Sequence, residues 1–142
     1  MTADARMLEP VFAMVGLSFV VWARLYAVRI PEMRRRRIHP QSVATSVSKA
    51  GAYEDTRASD NFANLFEVPV LFYVAAFAAM MLGLVMPLSL GLAWTYVGLR
   101  IVHSAIQCSY NKVMHRFMVY SLSCLVLLAF WAWLALYYFT GP

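Results

Sequence analysis

Residues 117–139 read FMVYSLSCLVLLAFWAWLALYYF, a run of 23 residues without a charged side chain. A bilayer core about 30 Å thick needs about 20 apolar helical residues per crossing, so this run predicts a membrane-spanning helix. Residues 8–28 form a second apolar run with Arg24 inside it, and residues 68–86 and 87–99 are uncharged. Because backbone groups in lipid must bond internally, we expect all of these runs to be helical.

The composition of the chain agrees with a membrane protein. Its 142 residues are 62% hydrophobic and 13% charged, whereas a soluble domain is roughly 45–50% apolar and about 25% charged. Six glycines, six prolines and two cysteines are too few for a collagen-like chain, a disordered chain or a disulfide scaffold. The net charge of +5 owes much to one run, Arg34–Arg37, and the rest of the chain is mostly apolar. We therefore expect no nucleic-acid partner.

These runs predict an all-α fold, an integral membrane four-helix bundle that forms a single domain over residues 1–142. The spans are expected at about residues 8–30, 62–86, 88–110 and 116–139, with one long loop at residues 31–60. Four helices and this loop leave no room for a second, soluble domain.

Lysine and arginine residues gather on one side of the predicted spans. Seven lie in or beside the first loop and two, Lys112 and Arg116, lie in the third, against only Arg6 on the other side. The positive-inside rule then predicts a multi-pass protein with its basic loops in the cytosol and both termini outside. The run Arg34–Arg37 is either a positive-inside anchor or a site for anionic lipid head groups, and the sequence leaves both interpretations open.

The spans carry polar side chains at helical spacing, close to their cytosolic ends. The sets are Arg57, Asn61, Asn64 and Glu67 in span two, Arg100, His103, Gln107 and Tyr110 in span three, and Arg116, Tyr120 and Ser123 in span four. At 100° per residue each set follows one helical face, and span one adds Arg24. Since polar groups in a bilayer turn towards partners or water, we predict one polar cavity open to the cytosol. Within it, Glu67 is expected to pair with Arg100 or Arg24.

Several of these side chains also have a purely structural interpretation. Arg24 can extend to the head groups, His103 can be a neutral hydrogen-bonding partner between helices, and Arg116 can be an ordinary arginine at a helix start. No metal site is expected, because one histidine and one glutamate on separate spans lack the ligand count. A channel would need polar groups through the whole bilayer depth, and the outer halves of the spans lack them.

Residues 57–69, RASDNFANLFEVP, resemble the second-span signature of the MAPEG family (membrane-associated proteins in eicosanoid and glutathione metabolism) in its bacterial-type form. The string GLRIVH at residues 98–103 and the downstream Arg116 also look like that family. The resemblance implies a homotrimer with glutathione as co-substrate, held between subunits near the cytosolic face. It further implies lipids or a lipophilic small molecule as partners. The implied activity is a glutathione-dependent transferase or peroxidase acting on lipophilic electrophiles; the alternative is a non-catalytic lipid-binding or scaffold protein of the same fold.

Carried onto this chain, the resemblance implies that Arg116 is the catalytic residue, facing the thiol. The implied glutathione-binding residues are Arg24, Arg57, Asn64, Glu67, Arg100, His103, Gln107, Tyr110 and Tyr120. An arginine suits the catalytic role, because it stays charged and favours the anionic form of a nearby thiol. The chain departs from the family's pattern at Asp60, where many members have an arginine, and at Gln107, where an aromatic hydroxyl is common.

Overall fold

The computed structural model describes residues 3–49 and 51–141, and these residues form helices joined by turns, with no strand among them. The elements are a 3-10 helix at Ala3–Met7, α1 at Leu8–Arg36, a 3-10 helix at Pro40–Val43, α2 at Ser46–Lys49, α3 at Arg57–Asn64, α4 at Pro69–Met81, α5 at Pro87–Cys108 and α6 at Val113–Thr140. The prediction of an all-helical fold is therefore confirmed for the described residues.

Three segments of the described chain are long and apolar enough to cross a membrane, namely Ala5–Arg36, Arg57–Met81 and Val113–Thr140. They include most of the predicted first, second and fourth spans, and they mark the protein as an integral membrane protein. α5 has 22 residues, or about 33 Å of helix at 1.5 Å per residue. It carries Arg100, and its crossing as a fourth span stays a prediction.

The second predicted span is broken rather than continuous. α3 ends at Asn64, residues 65–68 form a turn, and α4 then begins at Pro69. Proline has no N–H and its ring clashes with the carbonyl four residues earlier, so it fits the first position of a new helix better than a helix interior. α4 ends at Met81, five residues before the predicted end at residue 86, because Gly83 turns the chain at a positive φ of 66°.

The first helix is longer than predicted. α1 continues to Arg36, six residues past the predicted end at residue 30 and into the expected loop. Its last turn contains Arg34, Arg35 and Arg36, and cations are favourable at this end of the helix dipole. Arg37 then adopts a left-handed φ of 54° and ends the helix.

α5 occupies the centre of the packing, against α6, α1 and α3. Phe72 of α4 and Tyr96 of α5 are fully buried and stack with their ring centroids 4.9 Å apart. Three alanines of α4 (Ala75, Ala76 and Ala79) are fully buried. Small side chains let neighbouring helices approach closely, and this packing matters in lipid because the hydrophobic effect does not drive helices together there. The central position of α5 turns its polar residues towards α3 and α6.

The residues before α3 are bound to the basic end of α1. Glu32 of α1 is 6% exposed, and its carboxylate accepts a hydrogen bond of 2.5 Å from the backbone N–H of Glu54. Arg36 donates to Glu32 at 3.4 Å and to the carbonyl of Ala52 at 3.0 Å. The buried carboxylate therefore has both a cation and a backbone donor, as a buried charge requires.

The same segment also reaches the end of α5. Asp55 accepts hydrogen bonds from the Arg57 guanidinium at 2.8 and 2.9 Å and from the Arg57 backbone N–H at 3.1 Å. The other guanidinium nitrogen of Arg57 donates to the carbonyl of Ser109. The start of α3, the end of α5 and the start of α6 thus meet, and we call this part of the molecule the loop end.

The pairing of Asp55 predicts an acid-sensitive turn. The Arg57 guanidinium, with help from its backbone N–H, holds the pKa of Asp55 below its ordinary value. A lowered pKa stabilises the folded turn above the unfolded pKa of about 3.9 and loses that effect as pH falls further. We expect hydrogen-exchange protection of the Arg57 amide to be constant at pH 5–7 and to fall below about pH 4.

Asp55→Asn is the control for this prediction. The amide cannot accept the charge-assisted bonds with the same strength, so the Arg57 amide should be less protected at pH 6 and insensitive to acid. Equal protection of the wild-type amide at pH 6 and pH 3, after correction for the intrinsic exchange rate, would contradict the role given to Asp55.

Candidate functional site

A polar cavity of about 210 Å³ lies between α3, α5 and α6 at the loop end. Its lining residues are Asn64, His103, Val113, Arg116, Phe117 and Tyr120. Four of these six are residues that the sequence analysis placed in one polar cavity, and they come from three different helices. The structure therefore brings Asn64, His103, Arg116 and Tyr120 together.

Arg116 lies in the first turn of α6 and is half-buried. Its Nη1 donates to the side-chain oxygen of Asn111 at 2.8 Å. Asn111 lies in the short α5–α6 turn with a positive φ of 48°, a conformation that asparagine tolerates better than most residues. The remaining N–H groups of the guanidinium have no partner among the described residues, so they are available to the cavity.

The aromatic ring of Tyr120 packs against both Arg100 and His103. The Tyr120 ring has the Arg100 guanidinium 5.4 Å from its centroid and the His103 ring 5.6 Å away. Arg100 is fully buried, and its Nη2 donates to the backbone carbonyl of Asn64 at 3.1 Å. The aromatic face offsets part of the cost of burying this cation, and the bond to Asn64 fixes the end of α3 against α5.

Six of the nine predicted glutathione-binding residues do not line this cavity, namely Arg24, Arg57, Glu67, Arg100, Gln107 and Tyr110. Gln107 is 1% exposed and contacts the His103 ring from inside the protein. Arg24 donates to the carbonyl of Cys108 at 2.7 Å on the α1 side of α5, so in this chain it does not simply extend to the head groups. Tyr110 is exposed and its hydroxyl meets His115, while Arg57 is committed to the Asp55 turn.

The expected pairing of Glu67 with Arg100 or Arg24 is wrong. Glu67 is exposed, and none of the ion pairs found in residues 3–49 and 51–141 includes it. Glu67 lies in the turn between α3 and α4, where the helical rotation that the prediction assumed is interrupted. Its carboxylate is thus free on the surface of this chain.

A second polar cluster was missed in part by sequence reasoning. Asn61 is fully buried; its oxygen accepts from the Ser104 hydroxyl at 3.2 Å, and its amide donates to the Cys108 sulfur at 3.4 Å. Ser104 lies one turn after Arg100 in α5, and that spacing is the signal that could have identified it. Asn111 left no such signal, because its contact depends on the conformation of the turn.

The described residues contain no group of three or more His, Cys, Asp or Glu side chains placed to hold a metal ion. The candidate site is therefore built from arginine, amide, imidazole and phenol groups. Such a set is suited to binding and orienting an anionic or thiol-bearing molecule.

Comparison with known proteins places this site in a family. The model of the MAPEG family matches residues 7–136, all but the first six and the last six residues of the chain. The chain belongs to the MAPEG family. This confirms the resemblance seen in residues 57–69, and it makes the chain a membrane protein of the type that acts in glutathione and eicosanoid metabolism. No curated protein and no solved structure matches the chain.

In this MAPEG protein, the two asparagines of α3 should separate structural from ligand-binding effects. Asn61→Ala leaves the buried Ser104 hydroxyl without its partner, which typically costs about 1–3 kcal/mol. The Asn64 side chain lines the cavity without a hydrogen bond among the described residues, so Asn64→Ala should change the free energy of unfolding by less than about 0.5 kcal/mol. Thermal unfolding in detergent measures both, and equal destabilisation by the two variants would contradict this division.

Proposed function

We propose that this MAPEG protein is a membrane-bound glutathione-dependent transferase or peroxidase that acts on lipophilic electrophiles. The observation that supports it best is the arrangement of Arg116. Its side chain is held by one bond to Asn111, while its other donors are available to a cavity that opens at the loop end. A water-soluble thiol can reach this position, because the loop end is where the chain leaves the apolar part of the helices.

Arg116 would act by stabilising the thiolate of glutathione. A free thiol has a pKa of about 8.5, so only a small fraction is ionised at neutral pH. A guanidinium within a few ångströms favours the anion, and partial burial strengthens that effect relative to water. The thiol proton passes to water, and the positive charge of Arg116 holds the sulfur in its anionic form. In conjugation, the thiolate sulfur forms a bond to the electrophilic carbon as the leaving group departs with its electron pair.

The charged groups of glutathione fit the residues around the cavity. Glutathione carries two carboxylates and one ammonium, so its site needs cations, amide donors and one carboxylate. Arg116 and Asn64, which line the cavity, would supply a cation and an amide. The exposed carboxylate of Glu67, three residues after Asn64, would be the partner for the ammonium. Asp60 accepts from the Thr56 hydroxyl at 2.8 Å and lies on an exposed face, where water and salt screen its negative charge.

The cavity of one chain is small for such a molecule. Its volume is about 210 Å³, whereas ligand pockets commonly span roughly 300–1,000 Å³. We propose that a neighbouring subunit completes the site and that the protein is a homotrimer, with glutathione at the subunit interface. In this arrangement the loop end faces the cytosol and both termini lie on the other side, as the distribution of lysine and arginine indicates.

An apolar groove supports the lipophilic co-substrate and also the second candidate function. It measures about 480 Å³ between α1, α3 and α4, and its lining includes Phe19, Trp22, Phe66 and Phe77. Its position on the apolar surface gives lipids and lipophilic molecules access from the bilayer. The same groove favours the alternative function, a non-catalytic lipid-binding or scaffold protein, in which no thiolate forms at Arg116.

The thiolate is the decisive readout for this proposal. Purified wild-type protein with glutathione should show the ultraviolet difference absorbance of a thiolate and should conjugate a small aromatic electrophile. Arg116→Ala should abolish the absorbance and lower conjugation at least about tenfold, which corresponds to about 1.4 kcal/mol or one pKa unit. Arg116→Lys should restore only part of both, since an ammonium lacks the planar fork of the guanidinium.

Two outcomes would contradict the proposal. If the wild type shows neither thiolate nor conjugation, the non-catalytic function is favoured. If Arg116→Ala keeps full activity, another cation stabilises the thiol.

The proposed trimer predicts a discrete mass in native mass spectrometry. Released from mild detergent, the protein should appear at three times the 16.1 kDa mass of one chain. Arg116→Ala should leave this mass unchanged, because Arg116 is bonded within its own chain. A spectrum of monomers or dimers only would refute the trimer.

A further inference from the structure

His103 is bonded at both ring nitrogens inside the protein. Its Nδ1 lies 3.2 Å from the backbone carbonyl oxygen of Arg116, and its Nε2 lies 2.9 Å from the Oε1 of the Gln107 side-chain amide. Both side chains are almost fully buried, with 2% exposure for His103 and 1% for Gln107. The imidazole therefore links α5 to the first turn of α6, beside the cavity that both His103 and Arg116 line.

The hydrogen-bond partners determine where the imidazole proton resides. A backbone carbonyl only accepts, so Nδ1 must carry the proton and donate it to Arg116. In a neutral ring Nε2 is then an acceptor and needs a donor. With the Gln107 oxygen Oε1 facing Nε2, both ring nitrogens would have to be protonated. A half-turn of the amide, whose oxygen and nitrogen have nearly the same shape, brings its NH₂ group to Nε2 and supplies the donor.

The surroundings of His103 oppose a protonated ring. Arg100 lies one turn away, and both residues pack on the Tyr120 ring. An imidazolium would place a second buried cation beside Arg100, and none of the carboxylates in the described ion pairs reaches this cluster. Two buried charges of the same sign side by side are strongly unfavourable, so the neutral ring with an NH₂ donor from Gln107 is the arrangement that satisfies both ring nitrogens.

We propose that His103, held by Gln107 with its proton on Nδ1, is a positioning residue that fixes Arg116 in the cavity. The backbone of Arg116 is anchored by His103, and its guanidinium is anchored by Asn111 at 2.8 Å. With both ends fixed, the guanidinium keeps its unused donors aimed at one place, which is what a preorganised site requires. Gln107 acts through His103 and does not contact a ligand.

The position of the proton can be read without any enzymatic activity. The chain has three histidines, so the ¹⁵N NMR spectrum of histidine-labelled protein contains three sets of imidazole signals. The set that is missing from the spectrum of His103→Asn belongs to His103. We expect a protonated Nδ1 and an unprotonated Nε2 at neutral pH. In Gln107→Leu, the Nε2 resonance should move downfield towards that of a free imine nitrogen while Nδ1 stays protonated. An unprotonated Nδ1, two protonated nitrogens, or an Nε2 signal that ignores Gln107→Leu would overturn the proposal.

Activity then tests the positioning role, and this part rests on the proposed function. Asparagine can still donate an amide N–H from near the Nδ1 position, whereas leucine cannot. We expect His103→Leu to lower kcat at least tenfold with the KM for glutathione within about twofold, and His103→Asn to keep at least a third of kcat. His39→Asn, at the distant helix cap of residues 40–43, is the matched control and should be unchanged.

The two kinds of failure are distinguishable. If the wild type is inactive but the NMR result holds, the proposed function fails and the His103–Arg116 anchor stands. If His103→Leu and His103→Asn lose activity equally in an active enzyme, or if KM rises with no change in kcat, His103 does not position Arg116.

Discussion

The polar residues of α5 need protein partners, because the apolar surroundings of the helices offer no hydrogen bonds. Arg100 and His103 each bond to a backbone carbonyl of a neighbouring helix, that of Asn64 in α3 and that of Arg116 in α6. The Ser104 hydroxyl donates to the side-chain oxygen of Asn61 in α3. These bonds fix the end of α3 and the beginning of α6 against α5, and the cavity at the loop end follows from that placement.

The same requirement explains why the site of one chain is open. Most polar groups of α5 are bonded within the chain, but the Nε and Nη1 of Arg100 and the hydroxyl of Tyr96 are buried without a partner among the described residues. Glu67 and the free donors of Arg116 lie outside this network. Burying unsatisfied polar groups is costly, so these two residues stay at the surface or beside the cavity. The groups that remain free are those that glutathione would engage in the proposed function.

Much of the fold was predictable because it depends on local sequence. Long uncharged runs predict helices in a membrane protein, and the family signature at residues 57–69 identified the family. Helical spacing also brought Asn64, His103, Arg116 and Tyr120 to one place, because each lies on the polar face of its helix. Pro69 and Gly83 are residues at which helices commonly begin and end. The span at residues 62–86 was nevertheless predicted as continuous, because residues 68–86 carry no charge.

The remainder of the site depends on geometry that spacing does not contain. Two successive steps of three residues rotate a side chain by about 120° in total, so Glu67 lies at the edge of the face that contains Asn61 even on an unbroken helix. The turn at residues 65–68 then moves Glu67 off that face. Gln107 lies on the predicted face, but it is covered by His103 and so does not reach the cavity. The hydrogen bond from Arg116 to Asn111 depends on the left-handed backbone of Asn111 in the turn, which helical spacing does not predict.

A cryo-electron microscopy structure of the protein in lipid nanodiscs with glutathione would show whether the thiol binds beside Arg116 in a trimer. We expect three copies of the chain, with the glutathione sulfur within about 4 Å of the Arg116 guanidinium, a distance at which an opposite charge stabilises the thiolate. We also expect that His103 still contacts the Arg116 carbonyl in that complex. Glutathione bound away from Arg116, or an Arg116 side chain that points into lipid, would contradict the proposed role of Arg116 as the group that stabilises the thiolate.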